Sequence, residues 1–416
     1  MSAMPAWVVT KEGQTWGNTQ PRARLQTGRR FILSERVLQF VYEEEEQKRD
    51  KVTLTINNND LAYFDDPVLM KDELFQFSFG FAGNLSLSRS ARVKGITGFE
   101  TLKIEAYADD RSLVSEEKIE TFVNQRRSDI AQTVASRNGF GRTNIKPTTE
   151  LVVVQQAGIT DWKFLLELAE PIGYSVFITY EQGMEVLNFR PRPHTAAPTR
   201  RFSWYGGGAP PVPGQLVGRL LKFNIDDNTI YNKPAVIESR GYDPDNHLPV
   251  TGTAQRGATA VQPLGAVTEI AGPDAAPGKA TSRQVNVSGK ETQEAVKADA
   301  DARYTFAQDS QVKASIEIEG DPTLFSQTII ELTGLPRMLA GNYLVKSTKH
   351  VIGTGGYILS AKVMRDAVSS LPKTPGQSPS TGGIPNTKGA QDAGQLTPLY
   401  TYDAQGRETI IYKRAQ

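Results

Sequence analysis

Residues Gln156–Arg190, QAGITDWKFLLELAEPIGYSVFITYEQGMEVLNFR, set a helix-length apolar stripe directly before a tight pair of strands. Thr160 is a good N-cap, and Asp161 puts an acid where the helix dipole favours one. Leu165, Leu168, Ala169 and Ile172 recur at i, i+3, i+4 and i+7, with Lys163, Glu167 and Glu170 on other faces. Pro171 should push Glu170 out of the helical region, and Gly173 permits the sharp turn that follows. Tyr174, Val176, Ile178 and Tyr180 then alternate, as do Glu185, Leu187 and Phe189 beyond Glu181-Gln182-Gly183. No catalytic residue types are grouped in this segment. It has the character of a building block, not of a reaction site.

On the N-terminal side, Ala6 to Asp110 has a mainly β pattern. Val52–Ile56 ends at the turn cluster Asn57-Asn-Asn-Asp60, and Glu73–Phe79 puts Phe75, Phe77 and Phe79 on one face. Leu85 and Leu87 alternate with serines, and Thr101–Tyr107 closes a region of short strands that suggests a barrel or sandwich. The acidic run Glu43–Glu46 is expected on a solvated edge or loop, because it lacks the spaced ligands and Gly of a calcium loop. Ser115–Asn138 is expected to be one long helix with Ile119, Phe122, Val123, Ile130 and Val134 as its stripe, stopping at Asn138-Gly139. At 1.5 Å per residue it would span about 35 Å.

On the C-terminal side, the Pro- and Gly-rich stretch through Gly206–Pro213 describes an irregular connection. Leu220–Ile225 and Ala235–Tyr242 resume β patterning, and Asp243–Ser288 is expected to be a long loop or mobile insertion. Glu291–Tyr304 looks helical. A second β-region runs from Lys313 to Arg365 and ends in a hairpin across Gly353-Thr-Gly-Gly356. Ser369–Thr397 is a flexible type of linker, and beyond it Leu399–Tyr402 and Thr409–Tyr412 flank the turn set Asp403-Ala-Gln-Gly406. A lone hairpin is marginal in water, so this one needs something to dock against.

The 416 residues suggest roughly three domains. Lysine and arginine number 47 against 46 acids, so no bulk field draws the chain to nucleic acid or anionic membrane. With no cysteine, disulfides, thiolate metal sites and a cysteine nucleophile are excluded, which suits assembly in a reducing cytoplasm. MSAMPAWVVTKEG has no signal-peptide pattern, and no apolar run approaches the roughly 20 residues of a spanning helix, so no stable membrane association is expected.

Motifs for chemistry are weak. His194, His247 and His350 are scattered, as expected of ordinary surface or strand histidines. Ser310-Gln-Val-Lys313 has a Ser-x-x-Lys spacing without companion motifs, and Gly139-Phe-Gly141 lacks a third glycine and follows a helix. Carboxylates are plentiful but none sits in a motif for glycoside hydrolysis. The arginine pairs Arg126-Arg127 and Arg200-Arg201 are expected to be solvated or interfacial, not phosphate clamps. The expectation is no catalytic residue, no cofactor, no metal and no enzymatic activity.

The phrase D-W-x-F-L-x-x-L-A-x-x-x-G-Y (Asp161–Tyr174) resembles a signature segment of the phage late-control D family of baseplate hub proteins. Val236–Pro244 is similar to that family's strand ending in a Gly-x-Asp-Pro corner. Glu319-Gly-Asp-Pro322, then G-x-Y-x-V-x-x-x-x-H (Gly341–His350) and G-Y-x-x-x-x-x-x-x-R (Gly356–Arg365), are similar to its closing module. The matches run in order from about Leu151 to Arg365.

The resemblance, which extends to the valine–glycine repeat spike proteins of type VI secretion, implies an α+β, mainly β chain with two tail-tube-like barrels. Residues 1–110 would form the first barrel, 111–200 a connecting helical and α/β-hairpin region, and 201–368 the second barrel with a long loop near 243–288. Residues 369–416 would be a flexible linker and C-terminal hairpin. A homotrimer would adapt the hexameric tail tube protein to a trimeric central spike in the virion baseplate, among other baseplate proteins, with DNA only in transit. No repetitive Gly/Val-rich β-prism follows Arg365, so the spike is expected to be a separate polypeptide and the tail contractile. Two alternatives stay open: a hub that also degrades peptidoglycan or serves a phage-like contractile injection system, and a carbohydrate-binding β-protein of the tail periphery. Dispersed Trp7, Trp16, Trp162 and Trp204 argue against the last.

Overall fold

The structure is a computed structural model describing residues 4–18, 36–65, 67–108, 111–182, 184–193, 196–204, 215–228, 236–255, 264, 283–287, 292–309, 312–336, 338–366, 396–402 and 408–414. Two compact units divide the chain, residues 1–371 and 372–416.

The first eight strands are β1 (Pro5–Lys11), β2 (Gln14–Gly17), β3 (Val37–Glu45), β4 (Lys51–Asn57), β5 (Leu74–Phe81), β6 (Asn84–Leu85), β7 (Arg89–Gly98) and β8 (Thr101–Ala108). Six of them form a run in the order β1-β5-β7-β8-β4-β3, with β2 on the β1 edge. Alternation places Phe75, Phe77 and Phe79 inside, with Trp7, Trp16, Phe40 and Tyr42 in the same core. Leu85 and Leu87 are exposed. Ser86 turns inward instead, and its hydroxyl accepts the Phe79 N–H at 3.1 Å.

The connecting region holds β9 (Glu117–Arg126), the helix Arg127–Arg137, β10 (Arg142–Ile145), β11 (Leu151–Thr160), the helix Asp161–Ala169, β12 (Tyr174–Glu181) and β13 (Met184–Pro191). The long helix expected over Ser115–Asn138 is therefore corrected: its first half is β9, paired antiparallel with β11. Ile119, Thr121 and Val123 also carry a period of two, and their β-branched side chains suit a strand partner that sequence reading did not supply. Only Phe122, Ile130 and Val134 of the expected stripe are buried, while Ile119 and Val123 are exposed.

The segment Gln156–Arg190 folds as its pattern indicates. Thr160 accepts the Lys163 N–H at 3.4 Å as the N-cap, and Leu165, Leu168 and Ala169 are buried. Asp161 is fully buried and receives Lys118, Arg137, Asn138 and Gln156. Burial would raise its carboxyl, but these donors outweigh it and hold it at about 2. Glu170 is not displaced from helical geometry. The chain tightens to a 3-10 turn over Glu170–Ile172 with Pro171 in its first turn, where the missing N–H costs nothing, and Gly173 at φ +67° ends it.

The second half continues with β14 (Arg200–Ser203), β15 (Leu216–Asn228), β16 (Val236–Asp243), β17 (Leu248–Gln255), β18 (Arg283–Val287), the helix Gln293–Asp309, β19 (Val312–Glu319), β20 (Ile329–Thr333), β21 (Gly341–Gly353) and β22 (Gly356–Arg365). Strands β21-β20-β14-β15-β19-β22 close on themselves through the β21–β22 pairing, making a six-stranded barrel around Ile316, Ile330, Leu332, Tyr343 and Val363. The expected long loop near 243–288 is corrected at both ends: β17 and β18 flank β16 in a small sheet, while 256–263 and 265–282 lie outside the described residues. The Gln293–Asp309 helix packs on that sheet at Gly252, where a Cβ would meet the Lys297 backbone at 2.5 Å.

The two β-units share a strand. Gly341–Leu344 of β21 pairs with β20, whereas Ser347–Gly353 pairs with β3 of the first unit. A register shift between Val345 and Ser347 marks the hand-over. Ile352 and Tyr357, from the end of the β21–β22 hairpin, sit in the first core. Hydrogen bonding through β21 thus links the two β-units into one 14-stranded sheet. In the second compact unit, β23 (Leu396–Tyr402) pairs antiparallel with β24 (Glu408–Arg414), and most of the linker Ser369–Thr397 lies outside the described residues.

Candidate functional site

The sequence patterns of the closing module converge on buried side chains. Arg365 is fully buried, lies 4.9 Å over the Tyr343 ring and donates to the Ala340 carbonyl at 3.1 Å. Tyr343 donates to the neighbouring Leu339 carbonyl at 2.7 Å. His350, also fully buried, bonds through Nδ1 to the Tyr357 hydroxyl at 2.7 Å, with the Phe79 ring 4.7 Å away. Gly320 belongs to the Gly-Asp-Pro corner and gives Tyr357 its room, since a Cβ there would meet the ring at 2.1 Å. His350 and Tyr357 join the two β-units, whereas Arg365 and Tyr343 brace the closed barrel.

The acidic run Glu43–Glu46 is the main site-level correction. It is not a solvated edge: alternation along β3 exposes Glu43 and Glu45 in part and buries Glu44 and, just past the strand, Glu46. Ser326 donates to Glu44 at 2.5 Å, and Arg89 lies 4.0 Å from its other oxygen and 3.6 Å from Asp50. Tyr42 donates to Asp50 at 2.5 Å and receives Arg89. The guanidinium stands over Tyr42, Tyr180 and Phe325, at 4.9, 4.6 and 4.0 Å from their ring centres. Glu46 takes Arg192 at 2.9 and 3.1 Å and Ser175 of β12. Arg89 and Glu46 thus fasten the first unit to the connecting hairpin, and Arg89 also to the β19–β20 connection.

The electrostatics of this junction favour a fixed network. Burial raises the Glu44 carboxyl against the pull of Arg89. Burial alone would lower Arg89, but Tyr42, Glu44 and Asp50 reverse it to a raised value. Burial and then Arg89 depress His350 to about 3, so it is neutral at ordinary pH. The free space beside Glu44 and Asp50 is ≈ 10 Å³, the size of a single water at most. Glu44 and Asp50 are buried and paired, so the cluster serves packing and positioning.

Other expected features fall as follows. His247 is exposed in the β16–β17 turn, and His194 and Ser310 lie outside the described residues. Arg126 is exposed, but Arg127, Arg200 and Arg201 are buried, which corrects the expectation of solvated or interfacial pairs. Arg200 binds Asp321 at 2.7 Å, and Arg201 binds Glu331 at 3.0 and 2.8 Å. All four tryptophans are buried or half-buried, so none of them forms an exposed platform. Among the described residues, no group of three or more His, Cys, Asp or Glu is placed to hold a metal, and no helix is long and apolar enough to cross a membrane.

Two larger hollows remain. One of ≈ 360 Å³ lies between the 3-10 turn and the Gln293–Asp309 helix, lined by Pro171, Tyr174, Arg192, Asp299 and Arg303. The other, ≈ 550 Å³, is lined by Lys313, Lys346 and Lys362 together with Glu45, Arg192, Asp226 and Met364. Sequence reading missed both, since their residues come from strands distant in the chain.

With this geometry in place, solved structures of the same architecture can be matched. A tail protein from Neisseria meningitidis MC58 superposes with a TM-score of 0.58 at 10% identity, covering 87% of this chain and 97% of that one. The 43 kDa tail protein of prophage MuSo2 from Shewanella oneidensis gives 0.56 at 14% identity, covering 88% and 100%. The fold is that of phage tail proteins. No protein-family model and no curated protein matches the sequence.

Proposed function

We propose that this chain is a structural hub of a phage-type tail baseplate, working without catalysis and without cofactor or metal. The observation that carries the reading is the fusion of two six-stranded β-units through β21, in a fold similar to tail proteins over almost nine-tenths of the chain. Two such units per chain give six in a closed trimer, a ring that matches a sixfold tube on one side and a threefold spike on the other. In this reading the homotrimer contacts the tail tube protein, a separate central spike protein and other baseplate proteins. It is built in the host cytoplasm, resides in the virion tail, makes no stable membrane association, and DNA only passes through its lumen. Near-neutral net charge suits that transit, because it offers little counterion-release affinity for duplex. The two-unit fusion fits a contractile tail in which hub and spike are separate chains.

Electron microscopy of particles carrying a labelled copy tests this directly. Label at the tube–spike junction with threefold symmetry is the expected result. Label on peripheral fibres, or a closed dimer or hexamer in the baseplate, overturns it.

A further inference from the structure

The helix Arg127–Arg137 stops at Asn138-Gly139, the one Asn-Gly pair in the sequence. In such a pair the side-chain amide is open to attack by its neighbour, because glycine leaves the following backbone nitrogen uncovered. Here Gly139 takes φ +79°, and a Cβ built on it would meet nothing within 4 Å. Crowding does not separate the two groups. Hydrogen bonds do.

Asn138 Nδ2 donates back along the helix to the Val134 carbonyl at 2.8 Å and across to Asp161 at 2.7 Å. The Gly139 N–H donates to the Ser136 carbonyl at 3.1 Å, and the Phe140 N–H to the Ala135 carbonyl at 3.1 Å. Asp161 is itself fixed by Lys118 of β9, Arg137 of the helix and Gln156 of β11. A fully buried carboxylate thus holds the side-chain amide, and the helix end holds the backbone nitrogen beside it.

We propose that Asn138 is a self-modification site, shut in the native fold by the Asp161 clasp and opened when the connecting region unfolds. Once the Ser136 bond is gone, the Gly139 nitrogen gives its proton to solvent and attacks the side-chain carbonyl carbon of Asn138. A carbon–nitrogen bond forms, the side-chain carbon–nitrogen bond breaks, and ammonia leaves, taking a proton back from water. Water then opens the cyclic imide to aspartate or to its iso-linked form. The product cannot rebuild the clasp. A carboxylate stands where the donor met Asp161, and it adds negative charge at a helix C-terminus. An unfolding episode therefore leaves a chemical mark that weakens refolding of the connecting region.

Mass spectrometry of the tryptic peptide Asn138–Arg142 reads the conversion in the full chain kept in mildly alkaline buffer. Native chain should convert at least about tenfold more slowly than chain held in urea, the equivalent of one hydrogen bond to a charged group. Asp161→Asn, which removes the charge and keeps the shape, should convert faster than wild type while folded. Asn138→Asp, the product of one route, should lower the urea midpoint of unfolding. Equal rates in native and urea-held wild type overturn the shut site, as does urea-held chain whose other asparagines convert as fast as Asn138. A folded Asp161→Asn that converts no faster than wild type removes Asp161 as the latch. If that variant does not fold, Asn138→Asp decides, since an unchanged midpoint overturns the clasp.

Discussion

The two β-units solve the same closure problem differently. The second closes through backbone pairing of β21 with β22, and its core is mostly aliphatic: Ile316, Ile318, Ile330, Leu332, Val345 and Val363. Among the described residues, no strand pairing closes the ladder of the first. Trp7, Trp16, Phe40, Phe75, Phe77 and Phe79 fill it, Ile352 and Tyr357 come from the far end of the sequence, and a buried charge network stands at its margin. A ring of hydrogen bonds tolerates a core of small, interchangeable pieces. A ring finished by packing depends on large side chains and on each buried charge keeping its partner.

The largest effect should come from breaking that network. Arg89→Ala leaves Glu44 and Asp50 buried without their shared cation, and loss of one partner of a buried pair costs about 3–5 kcal/mol. Chemical denaturation followed by tryptophan fluorescence reads this, since Trp7 and Trp16 lie in the affected core. A loss below about 1 kcal/mol, the range of an exposed pair, would show that the junction does not hold the first unit.

Core truncations sharpen the same contrast. Leu54→Ala, in the unit closed by packing, should fall toward the upper end of the about 2–5 kcal/mol such truncations cost, and Leu332→Ala in the closed barrel toward the lower end. Equal costs in the same denaturation measurement would remove the distinction between the units.

Local chemistry was legible in the sequence, while long-range pairing was not. Thr160, Asp161 and Gly173 announced their roles because capping, dipole and turn geometry depend on neighbours within a few residues. Phe75, Phe77 and Phe79 announced a buried face through period two alone. Residues 115–126 satisfied both a helical and a strand period, and only β11, some thirty residues on, decides between them. Glu43–Glu46 looked solvated because the partners Arg89, Arg192 and Ser326 lie 45 to 282 residues away. β21 was readable as a hairpin strand, yet nothing in its sequence states that half of it belongs to a second unit. The Val345–Ser347 irregularity is where that allegiance changes.

A smaller effect should appear with acid. His350 is held at about 3 when folded, against about 6.5 when unfolded. Between these values the unfolded chain takes up a proton that the native state refuses. The His350 contribution is therefore complete above pH 6.5 and declines by about 1.4 kcal/mol for each unit below it. Glu44 is raised and acts in the opposite sense, and Asp161, at about 2, matters only below its unfolded value near 4. The difference between wild type and His350→Gln across pH 4.5–6.5 isolates the histidine. Parallel stability curves for the two proteins would show that His350 does not titrate on unfolding.

The smallest effect on stability, and the most telling for assembly, should follow deletion of the chain after Ser370. Residues 372–416 form their own compact unit, so unfolding of the remainder should be unchanged. The β23–β24 pair has only two strands, and Leu399, Tyr400, Tyr402, Ile410, Ile411 and Tyr412 give its sequence more apolar surface than a lone hairpin can cover. We propose that a neighbouring hub chain or the spike completes it by strand addition. The linker Ser369–Thr397 reaches about 30 Å, taking roughly 5–6 Å times the square root of its length. The truncated chain should therefore fold normally but give fewer complete baseplates, counted by electron microscopy. A truncated chain that melts early would mean the tail braces the barrels, and one that builds normal particles would mean that no partner strand is needed.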